Sequence, residues 1–428
     1  MRHLIVRGRY LAWEDGTPFF YLADTAWELF HRLTREEIAV YFTTRAAQGF
    51  NAAQCVALAE FEGVTTPNAC GRLPLHFTDG LPDPTRPDTD GPDSYWDLVD
   101  DAVDMAAARG MFVTLLPTWG DKFNLLWGKG PVIFNPENAY IYGKWIGGRY
   151  ADRENIIWML GGDRPLEPEH RAIIDAMARG IREADPHHLM TFHTWGGHDS
   201  TDYLADADYI DFHTSQTGHN ADLCYGPEKV MLKMMAASDK PCMDAEPRYE
   251  DIPACFGRPQ VPGYFWDADD IRQTAYWDLM TGVCGHTYGN HCIWSMTKEP
   301  DDQSRYRWNE ALTHPGAAQM RYLRQLRLSH DYFSFRYAPE LLAENYAGMG
   351  HLAAGRGKDY GYVYDPLGLA VTVRAEVFGN AAWLRAKWFD PRTGRETTFA
   401  VLPTDGPTTL VPPTQGKGCD WVLILEEC

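Results

Sequence analysis

Short runs of apolar, β-branched or aromatic residues alternate along the chain with stretches whose apolar positions recur every three to four residues. Strands buried on both faces produce the first pattern and amphipathic helices the second, so the alternation predicts βα units around a parallel sheet. Eight strand candidates cover 18–26, 51–59, 112–117, 155–160, 188–193, 209–213, 241–245 and 283–288. The stretches between them carry helix-end signals. Thr34 and Glu37 form a T-x-x-E capping box, Ile38, Phe42 and Ala46 follow at four-residue spacing, and Gly49 closes the helix. Asn135 precedes Pro136 at a first helical position, while Tyr95, Val99, Ala102, Val103 and Ala106 make one stripe that ends at Gly110. Eight strands, each followed by a helix, predict an α/β domain over 1–335, a (β/α)8 TIM barrel; an open doubly wound sheet shares the alternation.

The rhythm breaks in two places. Residues 60–92 carry six prolines and little periodicity, a connection far longer than average. A loop in that position leaves the barrel on its active face and is expected to be either functional or disordered. After a helix at 315–328, short strands are expected at 361–364, 370–374, 384–389 and 421–425, with Asp390-Pro391-Arg392-Thr393-Gly394 as a turn. This predicts a small all-β sandwich over 336–428.

Composition narrows the function classes. With 45% hydrophobic and 23% charged residues in 428, a sizeable core is available and disorder is excluded. A net charge of −20 would repel a phosphate backbone, so no nucleic-acid partner is expected, and no basic patch suits a membrane surface. No apolar run approaches the roughly 18 residues of a membrane span. The first apolar run, Leu4 to Val6, is followed by Arg7 and Arg9 and lacks a secretory core, so the expected location is cytoplasmic. Nine scattered cysteines without a C-x-x-C read as free thiols.

A barrel assembles its site at the C-terminal strand ends. Those ends read Asp24-Thr25-Ala26-Trp27, Glu60, Thr118-Trp119-Gly120-Asp121, Gly161-Gly162-Asp163-Arg164, His193-Thr194-Trp195, His213-Thr214-Ser215-Gln216, Glu246-Pro247-Arg248-Tyr249 and His286-Thr287-Tyr288. Two carboxylates on facing strands, Asp163 and Glu246, suit glycoside hydrolysis, in which one group protonates the leaving oxygen and the other attacks the sugar or activates water. Arg248 would favour ionised Glu246, and a confined Gly-Gly turn would raise Asp163, although Arg164 next door would act against that. Trp27, Trp119, Trp195 and Trp294 offer faces for sugar rings, or else close the top of the core. His193, His213, His286 and His291 could orient carboxylates or be satisfied buried groups. Cys284, His286, His291 and Cys292 do not have zinc-site spacing, and no phosphate-binding glycine motif is present, so no metal or cofactor is expected.

Several blocks together resemble the apiosidase-like catalytic domains, glycoside hydrolase family 140 and its relatives. They are Phe20 to Phe30 (FYLADTAWELF), Leu115 to Lys122 (LLPTWGDK), Ile157 to Asp163 (IWMLGGD), Asp244 to Glu250 (DAEPRYE) and Gly285 to Gly289 (GHTYG). The tail with Trp388 to Gly394 resembles the small β-domain, often labelled collagen-binding, that follows such barrels; a packed accessory role is expected of it here. The resemblance implies a barrel glycosidase with Asp163 as acid/base and Glu246 as nucleophile, probing a carbohydrate substrate and releasing apiose or a similar terminal furanose with retention. Asp24, Trp27, Glu60, Trp119, Asp121, His193, Trp195, Gln216, Arg248, Tyr249, His286 and Tyr288 are the expected substrate-binding residues. A glycosidase for another furanose or pyranose, or a non-catalytic carbohydrate-binding protein, would share these features. The oligomeric state has no signal in the sequence.

Overall fold

The computed structural model describes residues 3–219, 226–254, 263–379 and 381–428. Eight parallel strands form the barrel: β1 (Tyr21–Thr25), β2 (Ala52–Val56), β3 (Phe112–Leu116), β4 (Ile156–Gly161), β5 (Met190–His193), β6 (His213–Gln216), β7 (Cys242–Asp244) and β8 (Gly285–Tyr288). The ladder runs β5-β4-β3-β2-β1-β8-β7-β6, continued by a two-residue antiparallel strand, His198–Asp199, on the outside of β6. No ladder joins β5 to β6. The seam is closed by the Asp211 N–H donating to the Met190 carbonyl at 2.8 Å and the Thr191 hydroxyl to the Phe212 carbonyl at 2.6 Å.

Helices α1 (Arg35–Ala47), α2 (Tyr95–Ala107), α3 (Pro136–Tyr150), α4 (Pro168–Ala184), α5 (Gly226–Ala237), α6 (Ala268–Thr281) and α7 (Pro315–Leu328) surround the sheet. Their starts follow the expected chemistry: Thr34 and Glu37 close a reciprocal capping box, Ser94 and Asp97 do the same for α2, and Asn135 caps α3 ahead of Pro136. One expectation fails here, because the segment after β5 holds a single helical turn, Thr201–Leu204.

Inside the barrel, polar side chains pair with one another. The Tyr21 hydroxyl lies 2.8 Å from Thr114 Oγ1, and Gln54 Nε2 donates to Thr287 Oγ1 at 2.9 Å. This explains the misplaced sixth strand. The apolar residues Tyr209, Ile210 and Phe212 precede the strand, and the polar quartet His213–Gln216 forms it. Apolar periodicity misreads a strand whose inward partners are hydroxyls and amides.

Beyond α7 the chain builds a six-stranded antiparallel sheet from β9 (Arg336–Tyr337), β10 (Ala353–Arg356), β11 (Tyr360–Asp365), β13 (Trp383–Phe389), β14 (Glu396–Pro403) and β16 (Trp421–Glu427). A second layer, β12 (Val371–Arg374) paired with β15 (Pro407–Leu410), covers one face. Alternation along β16 shows how both faces are used. Leu423 and Leu425 enter the small domain's own core, whereas Val422 and Ile424 join the core of the barrel. The junction is polar as well as apolar: Arg272 on α6 donates from Nη2 to Asp420 at 2.7 Å, and Tyr276 stacks on Tyr364.

The 60–92 connection is ordered, with a hairpin of Leu75–Thr78 and Leu81–Pro87. Among the described cysteines all are free thiols; Cys224 and Cys255 lie outside the described residues. No helix among the described residues is long and apolar enough to cross a membrane.

Candidate active site

A cavity of about 600 Å³ opens at the C-terminal strand ends, and Asp163 and Glu246 both line it. Asp163 is delivered by an unusual turn. Gly161, Gly162 and Asp163 all have positive φ, at 90°, 127° and 52°. A side chain at Gly161 would collide with the His193 carbonyl at 2.3 Å and one at Gly162 with the Gly120 nitrogen at 2.8 Å. The two glycines therefore let the chain fold tightly against β5 and the 119–120 segment, and the turn tips the Asp163 carboxyl over the cavity.

Glu246 lies two residues beyond β7. Its Oε1 accepts from His219 Nε2 at 3.0 Å, and its Oε2 lies 3.0 Å from His193 Nε2 in a bent contact. The His193 tautomer follows from its other nitrogen. Nδ1 accepts the Asp163 backbone N–H at 3.3 Å, so Nε2 carries the ring proton, 3.0 Å from the Glu246 carboxylate. Beneath, Asp244 accepts from the Glu246 and Thr217 backbone N–H groups at 3.2 and 3.3 Å, tying the segment that carries His219 to the one that carries Glu246.

The two carboxyls are driven apart. Burial raises Asp163 to about 6, helped by the Glu246 charge and opposed by His193, Arg164 and the Trp127 indole. Burial would raise Glu246 too, but the imidazoles of His193 and His219 outweigh it and hold the group well below the usual carboxylate range. Arg164 spends its donors mainly on backbone: Nη1 on the Asp163 carbonyl at 2.6 Å, Nη2 on the Trp127 carbonyl at 2.6 Å and Nε on the Asn124 carbonyl at 3.2 Å. Its Nη1 is 3.4 Å from Asp163 Oδ2. Confinement and a like charge thus prevail over the neighbouring cation. Glu60, also in the wall, is raised by burial and then by the charges of Glu28, Asp121 and Asp163.

Trp27, Trp119 and His193 pack together as the floor, with ring centroids 5.0 to 5.6 Å apart. Buried polar atoms on the walls, Trp119 Nε1, Gln216 Oε1, the Tyr249 hydroxyl and His219 Nδ1, have no hydrogen-bond partner among the described residues. Unsatisfied groups around a cavity of this size are what a hydroxyl-rich ligand would satisfy.

Of the expected residues, Trp27, Glu60, Trp119, Asp163, Gln216, Glu246 and Tyr249 line the cavity, with His193 beneath. The other six expected residues are engaged elsewhere. Asp24 faces outward to Tyr41 and Arg45, at 2.7 and 2.6 Å, and fastens α1 to the barrel. Asp121 accepts from Lys122 and the backbone of Lys129 and Gly130, which pins the loop carrying Trp127. Trp195 stacks on His198 and donates to the Tyr203 hydroxyl. Arg248 lies over the Trp266 ring, and its Nη1 donates to the Asp270 carbonyl. His286 bonds Asp278 at 3.0 Å, and Tyr288 donates to Glu250 at 2.5 Å. The cavity also takes Trp294 and His291, considered above as a stacking face and a polar group, and, without any sequence signal, Phe61, Trp127 and His219. Among the described residues, one trio of potential metal ligands, His76, Asp88 and Asp90, lies away from this cavity by the 75–87 hairpin, and Asp90 is mostly exposed.

A nearly closed parallel barrel with two carboxyls lining one cavity, one pushed above and one held below the usual carboxylate range, places the protein among the (β/α)8 glycoside hydrolases. The model of the apiosidase-like catalytic domain matches residues 6–334, and the chain belongs to that family. Residues 338–426 match a domain described as "putative collagen-binding domain of a collagenase". A solved structure described as a glycoside hydrolase is 29% identical with a TM-score of 0.89, over 99% of this chain and 97% of its own. A glycoside hydrolase family 5 protein from Bacteroides vulgatus is also 29% identical, with a TM-score of 0.88 over 99% of this chain and 93% of its own. A β-L-arabinopyranosidase from Geobacillus stearothermophilus, 12% identical with a TM-score of 0.54 over 96% and 97%, shares the fold. No curated protein matched the sequence.

Proposed function

We propose that the protein releases a terminal furanose, apiose or a sugar of similar shape, from plant-derived oligosaccharides or glycosides, with Asp163 as acid/base and Glu246 as nucleophile. The observation that carries this reading is the placement of two carboxyls in one cavity, shifted in opposite directions, with His193 bonded to the backbone of one and 3.0 Å from the carboxylate of the other.

In the first step a Glu246 oxygen attacks the anomeric carbon while Asp163 gives its proton to the glycosidic oxygen, so the C–O bond to the leaving group breaks. In the second, the Asp163 carboxylate takes a proton from water, whose oxygen attacks the anomeric carbon and returns Glu246 as carboxylate. The imidazoles of His193 and His219 stabilise the leaving carboxylate in this step. Gln216, Tyr249 and the Trp119 indole would bind sugar hydroxyls, and Trp27 and Trp119 would pack against the ring. The apiose assignment rests on the family; the pairing of roles rests on the family and on the opposite shifts of the two carboxyls.

Chromogenic glycosides of apiose, arabinofuranose and common pyranoses test the sugar, with the product anomer followed by NMR. Hydrolysis of the furanosides with retention supports the reading. Inversion would make Glu246 a base rather than a nucleophile, and sugar binding without hydrolysis would make the protein a lectin-like module.

A further inference from the structure

We infer that a second sugar subsite continues the catalytic cavity across Phe61 and Trp294, and that it takes a neutral sugar ring on the other side of the cleaved bond. The inference rests on the glycosidase reading above. A groove, also of about 600 Å³, lies against the catalytic cavity, and Phe61 and Trp294 line both. A ligand that fills the first space therefore meets the second without crossing bulk protein.

The shared wall is built for its position. Phe61 has φ 51° and Met296, two residues beyond Trp294 and lining the groove, has φ 47°, so both flanking segments hold side chains in the left-handed region. Such conformations cost free energy and persist where the surroundings hold them for a purpose. The Phe61 and Trp294 rings are 6.4 Å apart and tilted by 36°, and the indole Nε1 is engaged by His291 Nδ1 at 3.1 Å, which fixes the plane of the ring. An oriented, half-buried indole is a stacking surface for a sugar ring.

The rest of the groove speaks to charge. Arg32 and Lys298 stand against Glu299 and Asp301, two basic and two acidic side chains. That balance favours a neutral, hydroxyl-rich partner over an anionic one. Arg32 donates from Nε to Glu28 at 3.3 Å, while its terminal amino groups meet no acceptor among the described residues and are available to hydroxyls. The groove is also where the proline-rich connection does its part, since Pro67, Asn68 and Ala69 form one side of it.

The test compares methyl β-D-apiofuranoside with methyl 2-O-β-D-apiofuranosyl-β-D-glucopyranoside, both of which lose an alkoxide leaving group, by kcat/KM for apiose release. Ala69→Trp fills the groove from an exposed position outside the catalytic cavity. The wild type is expected to favour the disaccharide tenfold or more, and Ala69→Trp to abolish that preference while leaving the short glycoside within twofold. Lys298→Ala, whose side chain is exposed, is expected to lower the disaccharide rate a few-fold with the same selectivity. Equal rates for the two substrates in the wild type, or a preference that survives Ala69→Trp, would overturn the subsite. Hydrolysis of neither substrate would instead remove the apiose assignment, and the subsite with it.

Discussion

The Nε2 of His193 lies 3.0 Å from Oε2 of Glu246, and the opposite nitrogen of the same ring accepts the backbone N–H of Asp163. One imidazole thus registers the turn after β4 against Glu246, two residues beyond β7. Its tautomer is dictated by the Asp163 backbone, and that tautomer places a proton toward the group that must stay ionised. The relation between the two carboxyls is consequently a property of the folded backbone as well as of the side chains.

Substitution of either carboxyl should lower kcat by about 10³-fold or more without unfolding the protein, as read by steady-state kinetics and circular dichroism. The two should differ with leaving group. Asp163→Ala is expected to retain more activity on aryl glycosides, whose leaving oxygen needs little protonation, and to gain rate with added azide. Glu246→Ala should show no such leaving-group dependence.

The pH profile should have its basic limb near pH 6. Asp163 must be protonated to act as acid, so kcat/KM falls as pH rises through its value of about 6, and the acidic limb lies well below pH 4 because Glu246 is held ionised. A profile that stays flat to pH 8 would contradict the assignment of Asp163.

Removing His219 leaves Glu246 buried but takes away one of the donors that hold it down. His219→Ala is expected to move the acidic limb to higher pH and to lower kcat by about 10–100-fold, leaving the basic limb within a few tenths of a unit. An unmoved acidic limb would show that the imidazole does not act on the carboxylate.

Asp163 should also carry a stability cost. Its folded value of about 6 lies above its ordinary 3.8, so the folded state holds the proton more tightly, and stability falls as pH rises between these two values. Asn cannot ionise and tolerates the left-handed φ of 52° at this position. Asp163→Asn should therefore be more stable than the wild type at pH 7, by about 1–3 kcal/mol in urea titrations, with the difference vanishing below about pH 4.

The junction between barrel and β-domain depends on a buried pair. Arg272 meets Asp420 through both Nε and Nη2, with each side chain almost fully buried. Asp420→Ala removes the buried partner across the junction but leaves Arg272 bonded to Asp269 and Gln319, and is expected to cost about 1–3 kcal/mol, measured by thermal or urea unfolding.

Much of this architecture was legible in the residues. Seven barrel strands lie largely on their expected spans because buried parallel strands read as continuous apolar runs, whereas the sixth shares only His213 with its own; Thr34, Asn135 and Gly110 mark helix ends by local chemistry. The sixth strand was displaced because His213–Gln216 is polar, and that error hid His219, three residues past the true strand end. Asp24, His286 and Tyr288 lie on barrel strands, as the cavity-lining Gln216 does, yet their side chains turn to Arg45, Asp278 and Glu250. A strand position names a residue but not which way its side chain faces. Trp127 comes from a loop held by Asp121 and Arg164, a long-range arrangement with no local signature.

Carbon-13 NMR titration of the side-chain carboxyls, assigned with Asp163→Asn and Glu246→Gln, reads the protonation of the pair without reference to any substrate. The Asp163 carboxyl should titrate with a midpoint near pH 6, and Glu246 should remain ionised below pH 4. A midpoint for Asp163 at or below that of Glu246 would contradict the division of roles between them.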